Sequence, residues 1–150
     1  RLLINLNYKT MEEYNLNFNG YRLDQDKSGL PTYGGIYLVY CCVFNKETNR
    51  VSLNRLIYIG QSVNINDRLN NHERYEDFMA ELKGGETLCY SYASVAPKDM
   101  NIVENALIFM QKPKLNNDLK DSFNYPNSQF DFEGRCALLK ETHFSITSNN

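Results

Sequence analysis

Two short runs constrain what this chain can fold into more than anything else in it: Ile36 to Phe44, opened by Gly34-Gly35, and Leu56 to Gly60. Both are dense in β-branched and aromatic side chains and bounded by glycine, which is the make-up of strands. Between them Asn45-Lys46-Glu47-Thr48-Asn49 is turn material. The two runs therefore read as an antiparallel hairpin, with Lys46 to Arg55 as an extended tip. That pairing brings Tyr37, at the end of Gly35-Ile36-Tyr37, near Tyr58, at the start of Tyr58-Ile59-Gly60, across 21 positions. Gly60 permits a tight exit from its strand.

The rest of the chain reads in shorter pieces. Residues 1–33 are an Asn-rich lead-in with one or two short elements, a small apolar patch at Leu2, Leu3, Ile4 and Leu6, and a loop over Asp24 to Gly29. Asn64 to His72 has helical spacing, with Ile65 and Leu69 on one face and Arg68 and His72 together on another. Tyr75 to Leu82 continues as a second helix and ends at Gly84-Gly85; Thr87 to Ala96 is a third strand. Asp99 is placed to cap a helix from Met100 to Gln111, which stops before Pro113. Residues 118–150 form an extension packed on or trailing this core, with one strand around Ala137 to Ile146.

At 150 residues the chain suits one compact domain with its own core, and 42% apolar content with 11 Tyr supports one. It begins with Arg1 rather than Met and reads as a fragment or a trimmed piece, which leaves flanking domains open. No apolar run reaches the roughly 18–20 residues of a membrane span. The four cysteines (Cys41, Cys42, Cys89 and Cys136) form no CxxC or Cys/His cluster, which argues against structural zinc and for buried thiols in a reducing, cytoplasmic setting. A net charge of −2 is unlike the basic excess of most nucleic-acid binders. Any phosphate-binding surface must therefore be local.

Chemistry-bearing residues follow the two tyrosines at set intervals: Arg68 ten after Tyr58, His72 four later, then Glu104, and Asn116 twelve after it. Glu104 is the one charge on a helix apolar nearly all round. It reads either as a structural carboxylate paired with an arginine, or as the single protein ligand of Mg²⁺ completed by waters and phosphate. Arg68 is either a solvated helix charge or a planar clamp on a phosphate. His72, one turn on, is either structural or positioned to hold or deliver a proton. Asn116 is either a turn residue or part of the site. Strand tyrosines usually pack, and a phenol with a pKa near 10 is a poor base unless a cation lowers it.

Taken jointly, GGIYLVY, YIGQS, RLNNH, VENALIF and KPKLNN resemble the GIY-YIG nuclease domain over roughly Gly34 to Asn117. The resemblance implies an α/β sandwich of the α+β type, with a central three-stranded antiparallel sheet flanked by helices in a 34–117 core. It also implies hydrolysis of a nucleic-acid phosphodiester, DNA by the family's habit with RNA left open, with one Mg²⁺ or Mn²⁺ ion. Carried over by motif position, Tyr37 is the general base, Tyr58 orients the water or the base, and Arg68 contacts the phosphate. His72 assists proton transfer or positioning, Glu104 anchors the metal, and Asn116 fixes the local backbone. The link between the tripeptides is longer than in the family's shortest members. Its Lys46, Arg50 and Arg55 are candidate DNA contacts or simply solvated, and Lys112 and Lys114 join them as candidates. A homodimer that reaches both strands and a separate DNA-binding domain outside this chain are both compatible with the family. The competing expectation is a non-catalytic module that uses the same scaffold to bind nucleic acid or protein.

Overall fold

The computed structural model describes residues 11–147. The apolar patch expected at Leu2 to Leu6 lies outside the described residues.

One mixed sheet of six strands organises the molecule: β1 (Glu12–Leu23), β2 (Gly35–Asn45), β3 (Arg50–Ser62), β4 (Thr87–Ser94), β5 (Ser128–Gly134) and β6 (His143–Ile146). Their spatial order is β3-β2-β4-β1-β5-β6. All neighbouring pairs are antiparallel except β1 and β5, which run parallel. The expected three-stranded sheet is therefore corrected. Strands β3-β2-β4 are present and antiparallel, but they make up half of a continuous α+β sheet. The lead-in supplies an interior strand, β1, and the tail supplies β5 and β6. Leu16 and Phe18 of β1 point inward between outward Asn15, Asn17 and Asn19, a period-2 pattern.

β2 is buried on both faces from Gly35 to Cys42, because it has strands on either side and helices above and below. It pairs with β3 from Gly35↔Ser62 to Asn45↔Arg50, so the tip is a tight turn and Arg50 to Arg55 belong to the strand. Asn45 closes that turn with its side chain: Oδ1 accepts from the backbone N–H of Glu47 at 2.9 Å and of Thr48 at 3.2 Å. Along β3 the register slips twice, between the Tyr58 and Leu56 pairings, leaving Ile57 as an extra residue, and between the Arg55 and Leu53 pairings, leaving Asn54. Bulges of this kind re-aim side chains. Here adjacent Ile57 and Tyr58 both pack into the same core.

Among the described residues three α-helices cover the sheet: α1 (Ile65–Asn70), α2 (Tyr75–Ala80) and α3 (Met100–Gln111). Helix α3 packs with Ile36, Leu38, Tyr40, Ile59 and Ala93 on one face. Helices α1 and α2 pack with Tyr37, Val39, Tyr90 and Tyr92 on the other. On that second face Asp24, in a short 3₁₀ segment, accepts from the hydroxyls of Tyr75 (2.7 Å) and Tyr90 (2.6 Å) and pairs with Lys27 at 3.2 Å. Asp99 precedes α3 but makes no side-chain capping bond; a 3₁₀ turn over Pro97–Asp99 leads into the helix instead. All four cysteines are buried and free, with Cys41 on one face of β2 and Cys42 on the other. Among the described residues, no helix is long and apolar enough to cross a membrane.

Candidate active site

The hairpin and the two short helices converge on one cluster. Tyr37 of β2 stands opposite Gly60 of β3, and its ring lies over that glycine. A Cβ built on Gly60 would stand 3.0 Å from Cε1 of Tyr37 and closer still to Cζ and Oη. The glycine of the second tripeptide is thus the seat of the first tripeptide's tyrosine, rather than a device for leaving the strand. Gly35 is needed for a different reason, because a Cβ there would collide with the carbonyl oxygen of Ala93 across β4.

Helix α1 starts where the sequence marks it: Asn64 Oδ1 accepts from the N–H of Asp67 at 2.9 Å. It ends at Asn70, earlier than the spacing predicts. The Asn70 and Asn71 side chains turn back to the carbonyls of Asn66 and Asp67, as Asn does when it competes with the helical ladder. His72 therefore sits in the loop after α1, not one helical turn above Arg68. That loop delivers it to Tyr37, with Tyr37 Oη 2.8 Å from His72 Nε2, both residues buried. The backbone N–H of Arg74 donates to His72 Nδ1 at 3.0 Å, so Nδ1 carries no proton in the neutral ring. The proton is then on Nε2, and His72 donates to the phenol oxygen. Burial and the nearby Arg68 charge push the imidazole down to about 4, which keeps it neutral at physiological pH.

Tyr58 completes an aromatic box around His72, with ring centroids 5.5 Å apart, while Phe78 closes it from α2 at 4.8 Å. The Arg74 guanidinium lies 5.6 Å from the Tyr58 centroid, within cation–π range. Burial pushes both tyrosine hydroxyls up, while Arg68 draws the Tyr37 hydroxyl back down by hydrogen bonding and charge. Arg68 is half-buried and reaches the Tyr37 hydroxyl, and its one carboxylate partner among the described residues is exposed Glu73, at 3.2 Å, so a phosphate beside Tyr37 would displace only a weak surface pair.

Glu104 projects from α3 beside the end of β3. Its Oε1 accepts from Gln61 Nε2 at 2.9 Å, and the same amide donates to Asn101 Oδ1 at 2.7 Å. Burial raises the Glu104 carboxyl pKa, and its charge bears on both tyrosines. It has no ion-pair partner among the described residues. A carboxylate drawn out of water and facing no protein cation suits a single hard cation. No group of three or more His, Cys, Asp or Glu side chains stands ready as a metal cage among the described residues. A divalent ion here would rest on Glu104 with waters and substrate oxygens around it.

Asn116 lies on the outer edge of β3, where Oδ1 accepts from Ile59 N–H at 3.0 Å and Nδ2 donates to Ile59 C=O at 2.9 Å. Leu115 N–H adds a bond to Ile57 C=O at 3.1 Å. The segment acts as a short substitute strand, holding β3 where it carries Tyr58 and Gly60.

Of the five candidate DNA contacts, two lie far from this cluster and three already have protein partners. Lys46 and Arg50 lie at the far end of the hairpin from Tyr37, eight pairs along β2, or about 26 Å at ~3.3 Å per residue. Arg55 is held bidentately by Glu86, at 2.9 and 2.6 Å. Lys114 is paired with Glu81 at 2.9 Å, and Lys112 bonds the carbonyl of Lys120. The residues that sequence reasoning passes over are Gln61, Arg74 and Phe78. Gln61 directly follows Tyr58-Ile59-Gly60, and that adjacency is the one signal that points to it. No family model, curated protein or solved structure matches this chain.

Proposed function

We propose that this chain is a metal-dependent endonuclease that hydrolyses DNA phosphodiester bonds at a site of GIY-YIG type. The observation that carries the reading is the convergence of Tyr37, Tyr58, His72 and Arg68, with the charge of Glu104 bearing on both phenols.

The scissile phosphate sits against Arg68, whose planar fork stabilises charge as it develops on the phosphoryl oxygens. Tyr37 acts as phenolate: the Nε2–H of His72 and the Arg68 guanidinium both favour the ionised form. Water attacks phosphorus and passes its proton to the Tyr37 oxygen, while the bond from phosphorus to the leaving oxygen breaks. Tyr58 walls the site and keeps the imidazole edge-on. Asn116 holds the strand that carries Tyr58 and Gly60. A divalent cation on Glu104 would neutralise phosphate charge and acidify bound water; without it, burial keeps the Tyr37 proton on. That buried, protonated phenol is also what a binding-only module would show, and the same test separates the two.

The test is cleavage of supercoiled plasmid with Mg²⁺ or Mn²⁺ by the wild type, Glu104→Ala and Tyr37→Phe. Cutting that EDTA and both substitutions abolish supports the nuclease and these two roles. Cutting that survives both substitutions overturns the assignment, and no cutting by the wild type favours the binding module.

A further inference from the structure

Six arginines fall among the described residues. Arg55, Arg68 and Arg74 each hold a carboxylate. Arg22, Arg50 and Arg135 have no ion pair or side-chain hydrogen bond among the described residues, and all three line a single open cavity of about 690 Å³. They reach it from separate places: the end of β1, the start of β3 and the turn after β5. One carboxylate, Asp26, shares the lining, together with the rings of Tyr21, Phe44 and Tyr92. Arg22 extends over Gly29, where a Cβ would stand 2.8 Å from its Nη1.

In a chain with net charge −2, three guanidiniums with no carboxylate partner among the described residues, set around one cavity, favour an anion there. Their planar forks match phosphate oxygens, and the half-buried rings of Tyr21 and Phe44, which pack on the same side of the sheet, are of the kind that unpaired bases stack on. The volume is that of a small-ligand cleft and takes one or two nucleotides, not a duplex. Tyr92 stands opposite Tyr37 in the β2–β4 pairing and packs on the same face. The cavity thus begins one strand away from the proposed catalytic phenol.

We propose that this cavity binds the phosphates of a single nucleic-acid strand, with its bases against Tyr21 and Phe44. The inference deepens the nuclease reading by adding a holding site for the strand that leaves the cutting centre.

The test uses the full chain in EDTA and a fluorescein-labelled oligothymidylate, followed by anisotropy across a salt series. Wild type should bind, with log affinity falling against log salt at a slope of about −2, from about 0.7 per phosphate contact on single strands. Arg50 and Arg135 are both exposed. The double variant Arg50→Gln/Arg135→Gln, checked for wild-type melting, should lose about tenfold or more in affinity and flatten the slope to about −0.7. Each single variant should fall between. Absence of wild-type binding, or unchanged affinity and slope in the double variant, overturns the proposal. Because no metal is present, arginine-dependent binding without plasmid cutting keeps this inference and sinks the nuclease, while cutting without such binding does the reverse.

Discussion

Replacing Gly60 with alanine should dislodge the phenol at the centre of the site without touching any group that carries charge. The added Cβ would lie 3.0 Å from Cε1 of Tyr37 and nearer to Cζ and Oη, against ~3.5–4.0 Å for carbon atoms at rest. The ring must withdraw by about 1 Å, yet Tyr37 is 1% exposed and ringed by Tyr58, His72 and β4. Overpacking of this kind costs about 1–3 kcal/mol. Losing the 2.8 Å bond to His72 adds about 0.5–1.5 kcal/mol. The expected destabilisation is about 2–4 kcal/mol, or about 5–15 °C in melting temperature for a chain of this size. Urea titration followed by tyrosine fluorescence and circular dichroism measures it. Gly84→Ala is the control, since a Cβ there meets nothing within 4 Å; it should stay within ~0.5 kcal/mol. If the proposed DNA cutting is observed, Gly60→Ala should also lose roughly a hundredfold in rate, because a 1 Å misplacement costs about that much. A Gly60→Ala protein as stable as the Gly84→Ala one would refute the seating of Tyr37 on this glycine.

Three further outcomes are expected. Asn116→Asp should destabilise by about 2–4 kcal/mol in urea titration, since a carboxylate can still accept from Ile59 N–H but faces its carbonyl with a second acceptor; a loss under 1 kcal/mol would contradict the edge clamp. His72, pushed down to about 4, binds its proton more readily unfolded, so its contribution is whole above pH ~6.5 and drains away as pH falls toward 4, by about 3 kcal/mol. Stability measured between pH 7 and 5 should therefore fall in the wild type and hold flatter in His72→Gln. Glu104, raised by burial, has the opposite sign: its charge opposes folding above its folded pKa, and protonation relieves it. Glu104→Gln should accordingly melt higher than wild type in EDTA at pH 7.5 while abolishing plasmid cutting, and a lower melting point would show that the carboxylate has a structural partner.

The hairpin was legible because β2 and β3 carry their signal locally, in a nearly unbroken apolar run and a turn that Asn45 closes by itself. Glu104 was legible for a related reason, as the one charge on an apolar helix. The loop position of His72 was not, since the i, i+4 spacing of Arg68 and His72 suits a helix and the two intervening asparagines end it. β1 was missed although Leu16 and Phe18 alternate with their neighbours, because those neighbours are Asn, which is depleted in strands. What makes Glu12–Leu23 a strand is β4 on one side and β5 on the other. The arginine cavity is less legible still, since its three cations come from three elements and only their lack of partners sets them apart.

The parallel pairing of β1 with β5 joins Glu12 to Ser128, a separation of 116 residues, and no part of that ladder can form until β5 has left the ribosome. Contacts of such high order fold slowly, and until they close, the edge of β1 that receives β5 lies open to other strands. The Tyr37 cluster and Glu104 need only β2, β3, α1, α2 and α3, and all of these are made before β5. During synthesis the chain therefore passes through a stage in which the candidate site is complete in sequence while the sheet that stiffens it still waits for its last two strands.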